Sequence, residues 1–375
     1  MSLTRLLAIA RKELIQLRRD TRSLILAFLL PVLLLILFGY AISWDVRNIR
    51  TAVLDGDRSA RSRELIDAFR ASGYFTFVDN LEGPEEIGAL FDRGTVQVAL
   101  VIPAGFAADL SAGRTASVQA IVDGSDANTA TIVLAYSEAI VRTWSSRVQL
   151  QGAPASNTRG LPITAESRVW YNEELASRNM IVPGLVAVIM MIIAAMLTSL
   201  TIAREWERGT MEQLAATPVS RVEVVLGKLL PYLGIGLADV VVCSVLGVLL
   251  FDVPFRGSAV LLMVFSFLFL TGALGLGMFI SAATKSQVLA TQAAMIATYL
   301  PSFLLSGFMF AIEVMPAPLR AVTFLVPARY FLVVTRGIFL KGVGLEVLHT
   351  QGLLMIAFAV AGLGLAVLRF RKELG

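Results

Sequence analysis

Six apolar stretches, each about 20 residues long or longer, set the strongest limit on how this chain can fold. The hydrocarbon core of a bilayer is about 30 Å thick, and an α-helix that rises 1.5 Å per residue crosses it in about 20 residues. The stretches run over Ser23–Trp44, Met180–Ala203, Leu229–Phe251, Ser258–Ala283, Val288–Ile312 and Leu348–Leu368. They predict an α-helical integral membrane protein with six transmembrane helices.

The composition agrees with this prediction. Of the 375 residues, 56% are hydrophobic and only 16% are charged, whereas a soluble domain is about 45–50% apolar and about 25% charged. The basic residues flank the apolar stretches and form no patch interleaved with aromatic residues. This pattern excludes a nucleic-acid-binding role.

Sequence motifs for catalysis and metal binding are missing. No phosphate-binding G-x-x-x-x-G-K-[ST] loop occurs, because Gly227-Lys228 is followed by Leu229 and has no upstream glycine. With a single cysteine, Cys243, and a single histidine, His349, the sequence has no zinc-spaced cluster. We therefore predict a non-enzymatic chain with no catalytic residue, no metal site and no bound cofactor.

Residues 1–22 carry an amphipathic pattern in which apolar side chains recur at helical spacing and basic ones lie between them. The apolar set is Leu6, Leu7, Ala10, Leu14 and Leu17, and the basic set is Arg11, Lys12, Arg18 and Arg19. The pattern favours a helix on the membrane surface, with an ordinary basic flank as the alternative. The span over residues 23–44 exceeds the length of a signal-peptide core and lacks a convincing cleavage site, so it is interpreted as a retained anchor.

The distribution of Lys and Arg sets the expected orientation. The basic N-terminal flank, the Arg204–Lys228 loop and the C-terminal tail are all placed on the cytoplasmic side. Both termini are thus predicted to be cytoplasmic. Residues 45–179, which contain no lysine, are then outside, and residues 180–375 supply the other five helices.

Residues 45–179 are predicted to form an extracytoplasmic α/β domain inserted between the first and second spans. Residues rich in β-branched and aromatic types indicate strands at Thr51–Leu54, Tyr74–Val78, Val96–Ile102 and Ser117–Val122. Helices are predicted at Ala60–Ala71, Pro84–Phe91 and Thr129–Leu150, before a loop at Gln151–Pro162.

Residues 313–347 conflict with the charge rule, because they are basic and yet are placed outside. A seventh span over Ala321–Leu340 would bury two arginines near its middle, at about 2.5–3.5 kcal/mol each. It would also contain a proline and would move the basic C-terminus outside. We predict two short helices that dip into the outer leaflet instead.

The Arg204–Lys228 loop is the most informative segment for function. Residues 204–218 mix carboxylates, an indole and apolar side chains, and are expected to form a short helix that fits a groove of a cytosolic partner. The residues assigned to this helix and its contact are Glu205, Trp206, Glu207, Gly209, Thr210, Met211, Leu214 and Pro218. The alternative is a solvated loop with an interfacial tryptophan.

Polar and small residues inside the spans carry two further predictions. Asp239 is an acid within a span, which marks it as a candidate functional residue facing the bundle interior. Its alternative role is that of a structural hydrogen-bond partner of Ser244 or Tyr232. Small residues predict close helix packing, and they are Gly272, Gly275, Gly277 and Ser281.

Over nearly its whole length the sequence resembles ABC-transporter permeases with the type-2 membrane domain. In the loop, the family pattern of Glu-x-Glu, Gly-Thr, Pro and Gly-Lys is matched in order by Glu205, Glu207, Gly209, Thr210, Pro218, Gly227 and Lys228. A second block is matched by Ser306, Gly307, Met315, Pro316, Pro327, Tyr330, Arg336, Gly337, Leu340, Lys341 and Gly342. Val98–Phe106 and Ile121–Ala130 also resemble the outer domain of the family. Ala311-Ile312 departs from the pattern, because many members have a proline there, and this leaves the local helix end open.

The resemblance implies a drug or multidrug exporter permease in the lipid of a bacterial inner membrane. Two permeases, identical or different, pair over two separate ATP-binding-cassette ATPases, which bind the ATP and Mg. The Glu205–Leu214 helix would sit in an ATPase groove, and the second block would form an outer re-entrant gate. Members with a large outer domain often work with a periplasmic membrane-fusion adaptor.

The resemblance therefore implies a permease subunit that exports an amphiphilic or drug-like substrate with ATP hydrolysed by another chain. Two other classes are open from the residues alone. A secondary transporter or channel predicts inverted repeats and several intramembrane charges, but the sequence shows one acid and no repeat. A membrane-anchored sensor or scaffold would use the outer domain without needing five further spans.

Overall fold

The computed structural model describes residues 2–42, 48–125, 127–152 and 176–370. The chain divides into two compact units, one formed by Met1–Ser43 with Arg168–Gly375 and the other by Trp44–Ser167. The first unit is helical and the second is α/β. In chain order the elements are α1 (Leu3–Arg19), α2 (Thr21–Ala41), β1 (Ile49–Asp55), α3 (Ala60–Ala71), β2 (Phe75–Asn80), α4 (Glu85–Asp92), β3 (Val98–Ile102), α5 (Phe106–Ser111), β4 (Gln119–Val122), α6 (Ala127–Gly152), α7 (Ser177–Glu207), α8 (Met211–Ala215), α9 (Arg221–Phe251), α10 (Ala259–Thr284), α11 (Gln287–Leu300), α12 (Ala317–Thr323), α13 (Pro327–Arg336) and α14 (Leu345–Arg369).

Five of the described helices are long and apolar enough to cross a membrane. They are α7, α9, α10, α14 and the helix from α11 to Leu305. The bent pair of α12 and α13 counts as a sixth if it is one broken span. Helix α2 is apolar and 21 residues long, although its stretch Ala27–Ala41 is shorter than a full span. These lengths and compositions agree with an integral membrane protein.

The fifth predicted span ends earlier than expected, at Leu305 instead of Ile312. Pro301 has no backbone N–H, and from this residue to Leu305 the helix widens into a π-helical turn. Gly307 then takes a left-handed conformation with φ of +85°, which ends the helix. The helix end that the sequence left open is therefore set by Gly307.

Helix α7 is the centre of the helical unit. It has 31 residues, a length of about 46 Å at 1.5 Å per residue, and every residue from Ile181 to Ala195 is buried. Its neighbours are α2, α9, α10, α11 and α13. Near one end, Ser281 Oγ of α10 accepts hydrogen bonds from the backbone amides of Ile202 and Ala203, at 3.0 and 2.9 Å.

Glycines bring the backbones of α10, α14 and α7 into direct contact. A Cβ added to Gly275 would lie 2.6 Å from the carbonyl carbon of Gly362 in α14. A Cβ on Gly362 would lie 2.5 Å from the carbonyl oxygen of Gly272, and one on Gly277 would collide with the carbonyl of Ala195 in α7. The prediction that these small residues permit close packing is confirmed.

Residues 313–347 contain the two short helices expected there, α12 and α13. The axis of α12 is bent by 76° from the helix that runs from Pro327 through α13 to Lys341. Pro316 precedes α12 and Pro327 is the first residue of α13. At the start of a helix a backbone N–H has no partner within the helix, so the N–H that proline lacks costs no hydrogen bond. We call α12 and α13 together the outer hairpin, and its depth in the outer leaflet stays a prediction.

The α/β unit is a four-stranded sheet in the order β2-β1-β3-β4. Strand β1 is parallel to both β2 and β3, and β4 is antiparallel to β3. The four predicted strands are confirmed, with ends shifted by one or two residues. The largest buried side chains of this core include Ile49, Leu65, Phe69 and Leu100.

The helices of the α/β unit also follow the predicted pattern closely. Helix α3 has the predicted ends and α4 is displaced by one residue, whereas α6 begins earlier and extends through Gly152. Helix α5 was not predicted. It follows Gly105, whose φ of +85° turns the chain out of β3. The predicted loop at Gln151–Pro162 falls beyond the described residues after Gly152.

We expect Gly275→Val to destabilise the helical unit, because the new side chain meets the backbone of Gly362 and cannot be accommodated by a rotamer change. Overpacking of this kind costs about 1–3 kcal/mol. The measurement is the midpoint of thermal unfolding of the purified protein in detergent.

Gly364→Ala in α14 is the matched control, since no atom lies within 4 Å of its added Cβ. Equal unfolding midpoints for Gly275→Val and the unsubstituted protein would contradict the packing of α10 on α14.

Candidate functional site

The segment between α7 and α9 has a different shape from the one predicted. Helix α7 continues through Glu205 to Glu207, and the chain then turns at Gly209, whose φ is +70°. A separate helix of five residues, α8, follows. The prediction of one helix over residues 204–218 is wrong, because the left-handed conformation of Gly209 interrupts it.

The residues predicted to contact a partner divide into an exposed and a buried group. Glu207, Gly209, Thr210 and Pro218 are exposed, and Trp206 and Leu214 are half-buried. Glu205 and Met211 are buried within the chain, at 5% and 2% exposure. These two side chains do not present a surface in the chain by itself, and their role in coupling stays a prediction.

Glu205 instead belongs to a buried cluster of opposite charges. Lys228 Nζ of α9 lies 2.9 Å from Glu205 Oε1 and 2.6 Å from Glu13 Oε1 of α1. Lys12 Nζ lies 2.7 Å from the same oxygen of Glu205. Two carboxylates and two ammonium groups from α1, α7 and α9 therefore meet at one point. We call Lys12, Glu13, Glu205 and Lys228 the ion cluster.

The ion cluster is shielded from solvent on three of its four members. Lys228 is 1% exposed and Glu13 is 3% exposed, whereas the side chain of Lys12 is 52% exposed. Removing one partner of a buried ion pair costs about 3–5 kcal/mol, because the other charge is left unpaired. The three helices are consequently locked together as long as all the charges are present.

Lys12 remains charged throughout the neutral pH range. Burial by itself acts to lower its pKa, but the hydrogen bond and charge of Glu205, and then those of Glu13, raise the pKa of Lys12 above its ordinary value of 10.5. The stabilisation that follows from a raised lysine pKa is complete below pH 10.5 and is lost only as the pH rises through the folded-state pKa.

Further contacts hold both ends of α1 against neighbouring helices. Ser220 and Glu223 form a capping box at the start of α9, and Glu223 Oε1 also accepts a hydrogen bond from the backbone amide of Ser2 at 2.5 Å. Arg5 Nη1 donates to the carbonyl of Pro218 at 2.6 Å. At the other end of α1, Asp20 pairs with Arg204 at 3.2 Å.

The Gly227-Lys228 pair has a structural explanation. A Cβ on Gly227 would lie 2.8 Å from Cβ of Ile9 and 3.0 Å from the carbonyl oxygen of Leu6. Gly227 therefore lets α1 approach α9, and Lys228 binds the acid that α1 brings with it. Sequence reasoning identified this pair only through the family resemblance.

Glu13 is the member of the ion cluster that sequence reasoning missed. The face of α1 that packs against the unit carries Leu6, Ile9, Glu13 and Leu17, while the predicted apolar residues Leu7 and Leu14 are exposed. Glu13 is four residues after Ile9 and four before Leu17, so it lies on the apolar face of the helix. An acid on an apolar face is the signal that could have indicated a buried ion pair.

The loop between α10 and α11 completes this end of the unit. Lys285 Nζ lies 4.2 Å from the ring centroid of Trp206, a cation–π contact. The backbone amide of Gln287 donates to Glu207 Oε1 at 2.7 Å, and its side-chain amide also bonds to Glu207. Trp206 and Glu207 thus connect the end of α7 to α11.

The residues predicted as an outer gate gather around Arg336. Its Nε donates to the carbonyl of Met180 at 3.2 Å, and its Nη1 to that of Gly307 at 3.5 Å. Gly184 leaves room beside the guanidinium, since an added Cβ would lie 3.3 Å from Nη2. Met180 and Glu205 are 25 residues apart on α7, so this group is about 37 Å from the ion cluster.

The other predicted gate residues lie within α12 and α13 or in the segments that flank them. Tyr330 donates its hydroxyl hydrogen to the carbonyl of Phe324 at 2.6 Å, and Ser306 bonds to the carbonyl of Ser302. Met315 and Gly337 are buried. The gating role of these residues stays a prediction.

Asp239 is buried, at 2% exposure, on the face of α9 that looks into the unit. Among the described residues its Oδ2 has no hydrogen-bond partner, and neither has Ser244 Oγ. A hydrogen bond between this carboxylate and Ser244 is therefore not made. One oxygen of the buried Asp239 carboxyl group therefore lacks a hydrogen bond in the described part of the chain.

Comparisons with known proteins agree with these observations. Residues 21–368 match the family model described as ABC-2 family transporter protein. The chain is 40% identical over 378 residues to "Probable multidrug ABC transporter permease YbhS" of Escherichia coli K12, covering 100% of this chain and 98% of that protein. It is 32% identical over 376 residues to "Probable multidrug ABC transporter permease YbhR" of the same organism, covering 98% and 99%.

A more distant relative is eukaryotic. "ABC transporter G family member 20" of Dictyostelium discoideum is 24% identical over 345 residues, which cover 90% of this chain and 46% of that protein. The family match extends from α2 to the last turn of α14, and the two bacterial relatives align over nearly their full length. This chain is therefore a member of the ABC-2 family of transporter proteins.

Proposed function

We propose that this chain is the membrane-spanning permease subunit of an ATP-binding-cassette exporter, which moves an amphiphilic or drug-like substrate out of the cytoplasm or inner leaflet. ATP and Mg bind to a separate ATPase subunit. The observation that carries the proposal is the end of the helical unit where α1, α7, α8 and α9 meet, because it combines an exposed polar loop with a rigid buried attachment.

The arrangement in the membrane follows the basic residues. The ion cluster and α8 are cytoplasmic together with both termini, and residues 45–179 are extracytoplasmic. Two permeases, identical or different, pair in a bacterial inner membrane. Relatives named as multidrug permeases support a drug-like cargo, and a periplasmic adaptor is proposed as a further partner of the outer domain.

The exposed residues of the loop form the proposed contact with the ATPase. Glu207, Thr210 and Glu212 offer polar side chains to solvent between the end of α7 and α8. Charged groups at an interface set register and steer association. Glu205 acts from inside the chain as a positioning residue, because its carboxylate fixes α1 and α9 against α7.

The ion cluster gives this contact a mechanical role. An ATPase that pushes on the loop displaces α7, α9 and α1 together, since pulling any one of them away would expose an unpaired buried charge. Helix α7 spans the unit from this point to the group around Arg336. Movement at the cytoplasmic end can thus reach the outer hairpin through one continuous helix.

We expect Glu212→Arg to reduce co-purification of the partner ATP-binding-cassette ATPase about tenfold or more, because a reversed charge at the contact is repulsive. The measurement is the ratio of the two subunits after affinity capture of the co-expressed pair. Glu313→Arg, at another exposed acid before α12, is the control. Equal recovery of the ATPase with Glu212→Arg and with the control would contradict the proposed contact.

We expect Lys228→Met to lower stability by about 3–5 kcal/mol, because Glu13 and Glu205 would face each other without a buried cation. The measurement is thermal unfolding in detergent. Lys12→Met removes a half-exposed ammonium from the same Glu205 oxygen and should cost much less. Combining Lys228→Met with Glu13→Gln and Glu205→Gln should restore most of the stability; unchanged melting of Lys228→Met would rule out the ion cluster as a lock.

We propose that Asp239 takes part in substrate passage, since its buried carboxylate has an oxygen without a partner in the described residues. Asp239→Asn keeps the shape and removes the charge, and it should reduce transport several-fold while leaving assembly with the ATPase intact. Transport into inside-out vesicles is the measurement. Unchanged transport would leave Asp239 with a structural role only.

A further inference from the structure

The α/β unit contains a cleft that the exporter function does not use. The cleft has a volume of about 500 Å³ and lies between α3 and the residues that follow β2. It is located at the carboxyl ends of the parallel strands β1 and β2. Its volume falls within the range of about 300–1,000 Å³ typical of small-molecule sites.

Apolar side chains form the inner wall of the cleft. Val53 from β1, Ile66 from α3 and Leu81 after β2 line it, and they are 2%, 8% and 6% exposed. Side chains of this kind cover an apolar surface of a ligand and gain free energy when water leaves. The inner wall therefore suits the apolar part of a small ligand.

Arginines supply the positive charge of the rim. Arg63 and Arg70 are seven residues apart on α3 and hence on one face of the helix, and Arg58 precedes the helix. Arg63 Nη2 donates to the carbonyl of Arg58 at 3.1 Å, which draws the two residues together. In the part of the unit that the structure describes, neither Arg58 nor Arg63 pairs with a carboxylate, whereas Arg70 lies 3.4 Å from Asp67.

Asp55, a carboxylate on the lining of the cleft, is already occupied. Asp55 Oδ1 accepts hydrogen bonds from the backbone amides of Asp57 and Arg58, at 3.1 and 2.9 Å, and its Oδ2 accepts one from the hydroxyl of Ser62 at 2.7 Å. Asp55 thereby shapes the turn that carries Arg58. Glu82 is a further acid on the lining, and it is exposed.

We propose that this cleft binds a small organic anion, with its phosphate or carboxylate group on Arg58 and Arg63 and its apolar body against Val53, Ile66 and Leu81. The planar guanidinium fork matches the oxygens of both kinds of anion. The proposal goes beyond the exporter function and is independent of the ATPase contact, since all its residues belong to the α/β unit.

The test is isothermal titration of the full chain in nanodiscs of phosphatidylcholine, with phenyl phosphate, benzoate and inorganic phosphate as probes. We expect saturable binding of at least one of the two aromatic anions and at least about tenfold weaker binding of inorganic phosphate, which lacks the apolar body. Whichever aromatic anion binds more tightly identifies the preferred oxyanion. Absence of saturable binding for both, or equal affinity for inorganic phosphate, would overturn the proposal.

Substitutions assign the binding to the cleft. The double variant Arg58→Ala/Arg63→Ala should lose at least about tenfold in affinity, the effect of one lost charged hydrogen bond. Arg63→Gln alone should lose several-fold and serves if the double variant fails to fold. Arg61→Ala is the matched control, because Arg61 pairs with Glu64 on the same helix. Unchanged affinity in both cleft variants would also overturn the proposal.

Discussion

Hydrocarbon offers no hydrogen-bond partner to a backbone amide or a side-chain charge, and the helical unit meets most of this constraint internally. Its spans are helices, and several of their polar side chains bond to backbone groups, whereas Asp239 Oδ2 and Ser244 Oγ have no partner among the described residues. Thr198 Oγ1 donates to the carbonyl of Leu274 at 2.8 Å, and Ser281 accepts from the amides of Ile202 and Ala203. The same bonds join α7 to α10. The requirement for internal hydrogen bonds, which favours helices, therefore also helps to pack these two helices together.

In the ion cluster, buried charges are paired with opposite ones. Lys228 is tolerated at 1% exposure only because two carboxylates reach it. Gly227 provides the space for α1, and Glu13 arrives on that helix. The matched sequence pattern thus contains residues that face inward, Glu205, Gly227 and Lys228, as well as residues exposed to solvent before α8.

The sequence predicted much of the fold because hydropathy and β-branched content are local signals. Thr51–Leu54 and Ala60–Ala71 became β1 and α3, and five of the six apolar stretches contain helices long enough to cross a membrane. Predictions failed where backbone conformation decides: Gly209 splits the predicted 204–218 helix, and Pro301 with Gly307 ends α11 early. The burial of Glu205 and Met211 was not predicted, because spacing shows which residues share a helix face, and only a neighbouring helix determines which face is buried.

By itself, the sequence determined that the chain is a membrane protein with an α/β segment, and its motifs determined the family resemblance. Both depend on composition and order along the chain, which folding does not change. Only the tertiary structure decided that Glu13, Glu205 and Lys228 meet, and that Arg58 and Arg63 share a cleft with Val53, Ile66 and Leu81. Glu13 and Lys228 are 215 residues apart, and their attraction acts only after α1 has packed against α9.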